Sequence, residues 1–202
     1  MRFNSLASTA AIALAVAGLA GLSGVAQAES QLGSTSASAS LDFQVVIPGL
    51  VFLQVGTGTF QEDVDTVNEI VFDLDAEALL ASAPVAATSQ SDGSNPAGTV
   101  SVRVWGNIGA LRLSSTATEL SDGNGNTIPW SELTVLASAN NGPNFVPHNA
   151  FSDDGVMSVI LETQGNSKLV NRQGTWAYTY ANSTEPSAGT YSGRVTYTVA
   201  NP

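Results

Sequence analysis

The chain has 202 residues, with 17 acidic against 6 basic side chains and a formal charge of −11. That balance argues against nucleic acid as a partner, because phosphate neutralisation needs clustered basic residues, and Arg103, Arg112, Lys168, Arg172 and Arg194 are scattered along the sequence. Attraction to anionic lipid is disfavoured on the same ground, and the absence of cysteine leaves no disulfide or thiolate chemistry.

Residues 1–28 read as a signal peptide. Arg2 opens it, an apolar stretch fills 10–20, and Ala26-Gln27-Ala28 has the small-x-small pattern of a cleavage site. The stretch is too short and too rich in Ala and Gly to span a membrane. The expected route is export to the periplasm, then the cell surface or the medium. Residues 29–36 are a Ser/Ala/Gly-rich flexible leader, and 37–202 have the length of one domain able to bury a core.

From Ala37 the apolar residues alternate. Leu41, Phe43, Val45 and Ile47 share one side, with Asp42 and Gln44 on the other, which predicts a first strand ending at Pro48-Gly49. Residues 50–55 predict a second strand, either buried on both sides or continuing the first past a kink, and 69–74 a third. Asp75 heads a run of good helix formers over 76–81, hence a short capped helix. Residues 83–98 read as a long exposed loop. Strands follow at 99–105, with Val100, Val102 and Val104 inward, and at 110–115. Residues 121–126 form a turn. Pro129 leads a single helical turn before a strand over 134–138, and a loop carries Asn141-Gly142-Pro143. Gln164-Gly165-Asn166-Ser167 signals a hairpin between 156–163 and 168–170. Trp176, Tyr178 and Tyr180 share a face, and a last strand occupies 189–200. Short regular strands without a sustained helical period predict an all-β fold: an antiparallel, immunoglobulin-like β-sandwich.

Few groups suit chemistry. His148 is the single histidine, so any Ser–His or His–metal mechanism would run through it; placed in a loop, it is expected at the surface. In Gly189-Thr190-Tyr191-Ser192-Gly193 a tyrosine stands where a nucleophile elbow needs serine. No spacing singles out a pair of acids for glycoside hydrolysis. The expectation is that the protein is not an enzyme. Asp122, Asn124 and Asn126 alternate as calcium ligands do, although position six of that loop is Thr127 and position twelve Leu133. The same residues suit a tight turn, so the reading is no cofactor, with calcium held open. A second oxygen cage would need Glu62, Asp63 and Asp65 to meet Asp153 and Asp154. Trp105, Trp130, Trp176, Tyr178 and Tyr180 either line a sugar-binding face or fill the core. Asn182-Ser183-Thr184 fits a glycosylation acceptor. Tyr191, just after Ala188-Gly189, sits where sandwich domains place a tyrosine corner, its hydroxyl bonded back to nearby backbone.

The ending Ala188-Gly189-Thr190-Tyr191-Ser192-Gly193-Arg194-Val195-Thr196-Tyr197-Thr198-Val199 resembles the last strand of bacterial pilins assembled by the chaperone–usher route, the spore-coat-U-like and alpha-fimbrial pilins. The resemblance implies an incomplete sandwich that a periplasmic chaperone, and then a like subunit, completes by β-strand addition. It implies that Tyr191, Val195, Tyr197 and Val199 line the receiving groove. The implied function is a structural or adhesive fimbrial subunit of the bacterial surface. The alternative is a self-complete secreted sandwich that binds carbohydrate or mediates calcium-dependent adhesion. This chain departs from the family in lacking a cysteine pair near the first strand. As a donor, 31–40 offers only Leu32, Ala37 and Ala39, and if 41–47 were the donor the domain would lose its own first strand.

Overall fold

The computed structural model describes residues 31–60, 62–65, 67–89, 95–139 and 144–202. The signal peptide read over 1–28 and the turn at Asn141-Gly142-Pro143 lie outside them. Two units separate at Val46/Ile47. In the first, residues 31–46 form no strand and are exposed throughout. The second is an antiparallel β-sandwich.

Its larger sheet is built on β3 (Thr99–Gly106) and β9 (Val170–Tyr180). β3 pairs along its length with β9, from Gly106 opposite Val170 to Thr99 opposite Ala177. β1 (Val51–Val55) lies on the other side of β3, and β7 (Leu133–Ala139) pairs with the other side of β9. β2 (Val85–Ala86) continues the line of β3 by pairing with Tyr180 and Thr179. The smaller sheet places β4 (Leu111–Ala117) between β8 (Met157–Leu161) and β10 (Val195–Ala200). A two-residue ribbon of β5 (Leu120–Ser121) and β6 (Thr127–Ile128) caps one end.

Period-two patterning explains the packing. Val100, Val102 and Val104 of β3 point inward with Val170 and Trp176 of β9, against Leu111 and Leu113 of β4 and Met157 and Leu161 of β8. Removing these side chains from water is the main favourable term holding the sheets face to face. Ser115 stands among them on the inward side of β4 and is 3 % exposed. Its hydroxyl donates to the Gly155 carbonyl (2.8 Å) and accepts from the Met157 amide (3.0 Å), so it is buried without a desolvation penalty left uncompensated.

The short helix α1 (Ala76–Ala81) forms as its sequence predicts, with the Asp75 carboxylate accepting from the Ala78 amide at 2.7 Å. The helical turn after Pro129 is a single 3₁₀ turn, Trp130–Glu132. Four expectations are corrected. Residues 41–47 form no strand, although their alternation predicts one. Residues 69–74 make no strand either; the Val71 amide donates to Ser89 Oγ and its carbonyl accepts from the Thr88 amide, both at 2.8 Å, so a side chain replaces a ladder partner. Residues 83–98 are not one loop, since β2 lies within them. The strands flanking 164–167 do not form a hairpin. The turn closes as expected, the Gln164 amide donating to the Leu169 carbonyl at 3.0 Å, but β8 pairs with β4 and β9 with β3 and β7, so the chain crosses from one sheet to the other there. The residues 50–55 also differ in detail: β1 is an edge strand, half-buried along most of its length.

The Asn182 side chain is 2 % exposed and joins α1 to the end of β9. Its amide donates to the Ala78 carbonyl (2.8 Å) and the Ala83 carbonyl (3.2 Å), and its φ is +55°. It is therefore a buried structural group rather than an accessible glycan acceptor. Asn182→Ala is expected to cost about 2–3 kcal/mol, through two orphaned carbonyls and a left-handed backbone that alanine resists. Asn182→Gly should cost less because it relieves only the backbone. Thermal melts of the two variants check the order.

Candidate functional site

β10 ends the chain as an edge strand. It pairs with β4 from Val195 opposite Ala117 to Ala200 opposite Arg112. Among the described residues no strand pairs with its other edge. Before it, the Thr118 amide donates to the Arg194 carbonyl at 2.9 Å and the Arg194 amide donates to Thr118 Oγ1 at 2.9 Å. Both main-chain groups of Arg194 thus turn toward β4. In an antiparallel ladder successive residues face alternate sides, so Val195, Tyr197 and Val199 direct their amides and carbonyls to the unpaired edge. Their side chains are half-buried and pack on the core, whereas Thr196, Thr198 and Ala200 are exposed.

At the opposite edge of this sheet a side chain meets one main-chain group of β8. Asn149 Nδ2 donates to the Ser158 carbonyl of β8 at 2.6 Å, and Ser152 accepts from the Val156 amide and donates to the Val156 carbonyl just before β8. β1, the edge of the larger sheet, approaches β10 to within 8 Å between Cα atoms, so the unpaired edge lies where the two layers come together.

Of the four residues expected to line a groove, Val195, Tyr197 and Val199 lie together on the inward face of β10. Tyr191 lies outside it. Its hydroxyl donates to the Ser187 carbonyl at 2.8 Å, the back-bond of a tyrosine corner, and the neighbouring Ser192 exchanges both main-chain bonds with Ser121. That pins the approach to β10 against β5.

Tyr197 reaches into a polar chain that sequence reading missed. His148 is not a surface residue: its ring stands edge-on to Trp176 and Phe151, with centroids 4.6 and 4.8 Å away. Its Nδ1 donates to the Asn149 carbonyl (2.6 Å), which leaves Nε2 to accept from the Tyr197 hydroxyl (2.9 Å); Tyr197 in turn accepts from Tyr178 (2.9 Å). Burial lowers the His148 pKa from 6.5 to about 4. Burial likewise raises both tyrosines, Tyr197 further through its neighbour Tyr178. The chain therefore holds every proton in the neutral state and ties β10 to β9 and to the loop before β8. The signal available in the sequence was the apolar pair Val146 and Phe151 around the histidine.

The aromatic residues split. Trp130, Trp176 and Tyr180 are buried, and Trp105 faces the other side of β3. Asp122 folds its carboxylate onto its own turn: it accepts from the Asn124 amide (2.8 Å), the Asn126 amide (3.1 Å) and Asn126 Nδ2 (2.7 Å). The Asn126 side chain and the Asn124 amide hold its pKa below the usual carboxylate range. The geometry of Asp122, Asn124 and Asn126 is that of a tight Asx turn. Among the described residues no three acidic or histidine side chains gather as a metal cage, the set Glu62, Asp63, Asp65, Asp153 and Asp154 included. No described helix is long and apolar enough to cross a membrane. Compared with known families, with characterised proteins and with solved structures, the chain matches none.

Proposed function

We propose that this protein is an exported structural subunit of the cell surface that assembles by β-strand addition, a like subunit or a periplasmic chaperone supplying the strand that pairs with β10. The observation that carries this reading is the unpaired edge of β10, where an unmet row of main-chain groups adjoins a half-buried apolar face of Val195, Tyr197 and Val199. An edge of that kind is a template for another strand unless a protein blunts it with charge, proline or a bulge. Residues 195–200 carry no charge and no proline. An added strand would meet the free amides and complete the burial of the three side chains, worth of order 1 kcal/mol each given that they are already half-covered. The pilin-like ending and the exported start of the sequence support the same reading, which assigns the protein no catalytic residues.

The edge can be tested without disturbing the pairing with β4. Val199→Pro removes one amide from the open side, a position where an edge strand tolerates proline. The variant is expected to keep the parent's circular dichroism and to lose multimers in size-exclusion chromatography with light scattering. A variant that multimerises like the parent would sink the proposal. A parent chain that is monomeric and binds polysaccharide would favour a self-complete module instead.

A further inference from the structure

We infer that the groove at the β5–β6 end of the sandwich binds a basic segment of a partner protein. One lysine or arginine side chain of that segment lies along the apolar floor, its charged head among Glu119, Asp153 and Asp154. The groove has a volume of about 380 Å³, within the range of ligand-binding clefts. Leu120, Ile128, Pro129 and Trp130 supply its apolar surface, and the three acids supply its charge. The site is distinct from the open edge of β10 and needs no strand exchange.

Trp130 is a fixed wall of this groove. Its indole nitrogen donates to the Thr118 carbonyl at 2.9 Å, and its amide donates to the Asp153 carbonyl at 3.0 Å. Gly155, with φ at +76°, lets the chain pass against the ring: a Cβ there would meet Trp130 at 2.9 Å and the Ala117 side chain at 2.4 Å. The acids keep their charge. Ser131 Oγ donates to Asp153 at 2.5 Å and Ser152 Oγ to Asp154 at 2.6 Å. The Ser152 hydroxyl, with the Val156 amide, holds the Asp154 pKa below the usual carboxylate range. Glu119 is exposed. Among the described residues no lysine or arginine forms an ion pair with any of the three. Carboxylates beside an apolar floor are complementary to a long alkyl stem that ends in a cation. An anionic or wholly apolar segment would desolvate that rim without giving it a partner. With 6 basic against 17 acidic side chains, a second copy of this chain is a poor source of the cation, whereas the net charge draws in a basic partner from outside.

The probe is the tripeptide acetyl-Leu-Arg-Leu-amide, too short to add a strand, titrated into the isotope-labelled protein and followed by NMR. Saturable shifts are expected at the Leu120 and Ile128 amides and the Trp130 indole N–H, weakening as salt is added. The same tripeptide with citrulline keeps the shape of arginine and loses its charge, and should bind about tenfold more weakly. In Glu119→Gln/Asp153→Asn both side chains are exposed, so the variant should melt with the parent. It should bind the arginine peptide about fivefold more weakly, the scale of two lost rim ion pairs. Glu69→Gln/Glu162→Gln removes the same charge from two exposed positions that do not line the groove, and should bind like the parent. Equal binding of the citrulline peptide would overturn the inference, as would a control pair that weakens binding as much as the groove pair. So would shifts confined to β10, or no response at millimolar peptide.

Discussion

Replacing Trp176 with alanine is expected to remove about 3–5 kcal/mol of stability, a large share of the 5–15 kcal/mol typical of a domain. Three observations set that size. Trp176 is fully buried and lies between the sheets among Val146, Leu111 and their neighbours, so its loss leaves a cavity that rigid strands cannot collapse. Its indole nitrogen donates to the Val146 carbonyl at 2.8 Å, and Val146 is 1 % exposed, so the carbonyl would be stranded away from water. Its ring also packs against His148 and Tyr197, with centroids 4.6 and 4.9 Å away, which couples it to β10. Trp176→Phe keeps most of the ring and loses the donor, and should cost about 1–3 kcal/mol. Urea unfolding of both variants provides the check. Equal losses would mean that the hydrogen bond, rather than the filled volume, dominates.

Stability should also fall on acidification in a window set by His148. Its folded pKa, about 4, lies below the ordinary 6.5 because burial penalises the charged ring, with the Asn149 carbonyl partly opposing the shift. Below pH 6.5 the unfolded chain takes up a proton that the folded chain refuses. The stabilisation held by the neutral ring is thus complete above pH 6.5 and is lost as the pH drops toward 4. At about 1.4 kcal/mol per pH unit the loss approaches about 3 kcal/mol. Carboxylates titrate in the same range, so the comparison that isolates the ring is parent against His148→Gln. Their unfolding free energies should converge between pH 7.5 and 4.5, the parent falling more steeply. Parallel curves would show that the imidazole is not held neutral in the fold.

The two results bear on assembly through one residue. Tyr197 belongs to the inward face of β10 and is also the group that donates to His148. Loosening Trp176 or protonating His148 disturbs the strand whose second edge is proposed to receive a partner. Weakened multimers in acid, absent in His148→Gln, would follow from that connection.

The sequence by itself determined which residues share the inward face of β3 and of β10. Val100, Val102 and Val104 alternate, as do Val195, Tyr197 and Val199, and a two-residue period requires no knowledge of the partner strand. The Asp75 cap and the bond from Tyr191 to Ser187 were legible for the same reason, since both join residues at most four positions apart. The tertiary structure alone decided which strands share a sheet. The turn at 164–167 looks the same whether its flanking strands pair or part, and here they part because β8 finds β4 while β9 finds β3 and β7. Long-range packing likewise buried His148 beneath an aromatic cluster assembled from Phe151, Trp176 and Tyr197. The stretch 41–47 marks the limit most clearly: its alternation predicts a strand, and the residues form none.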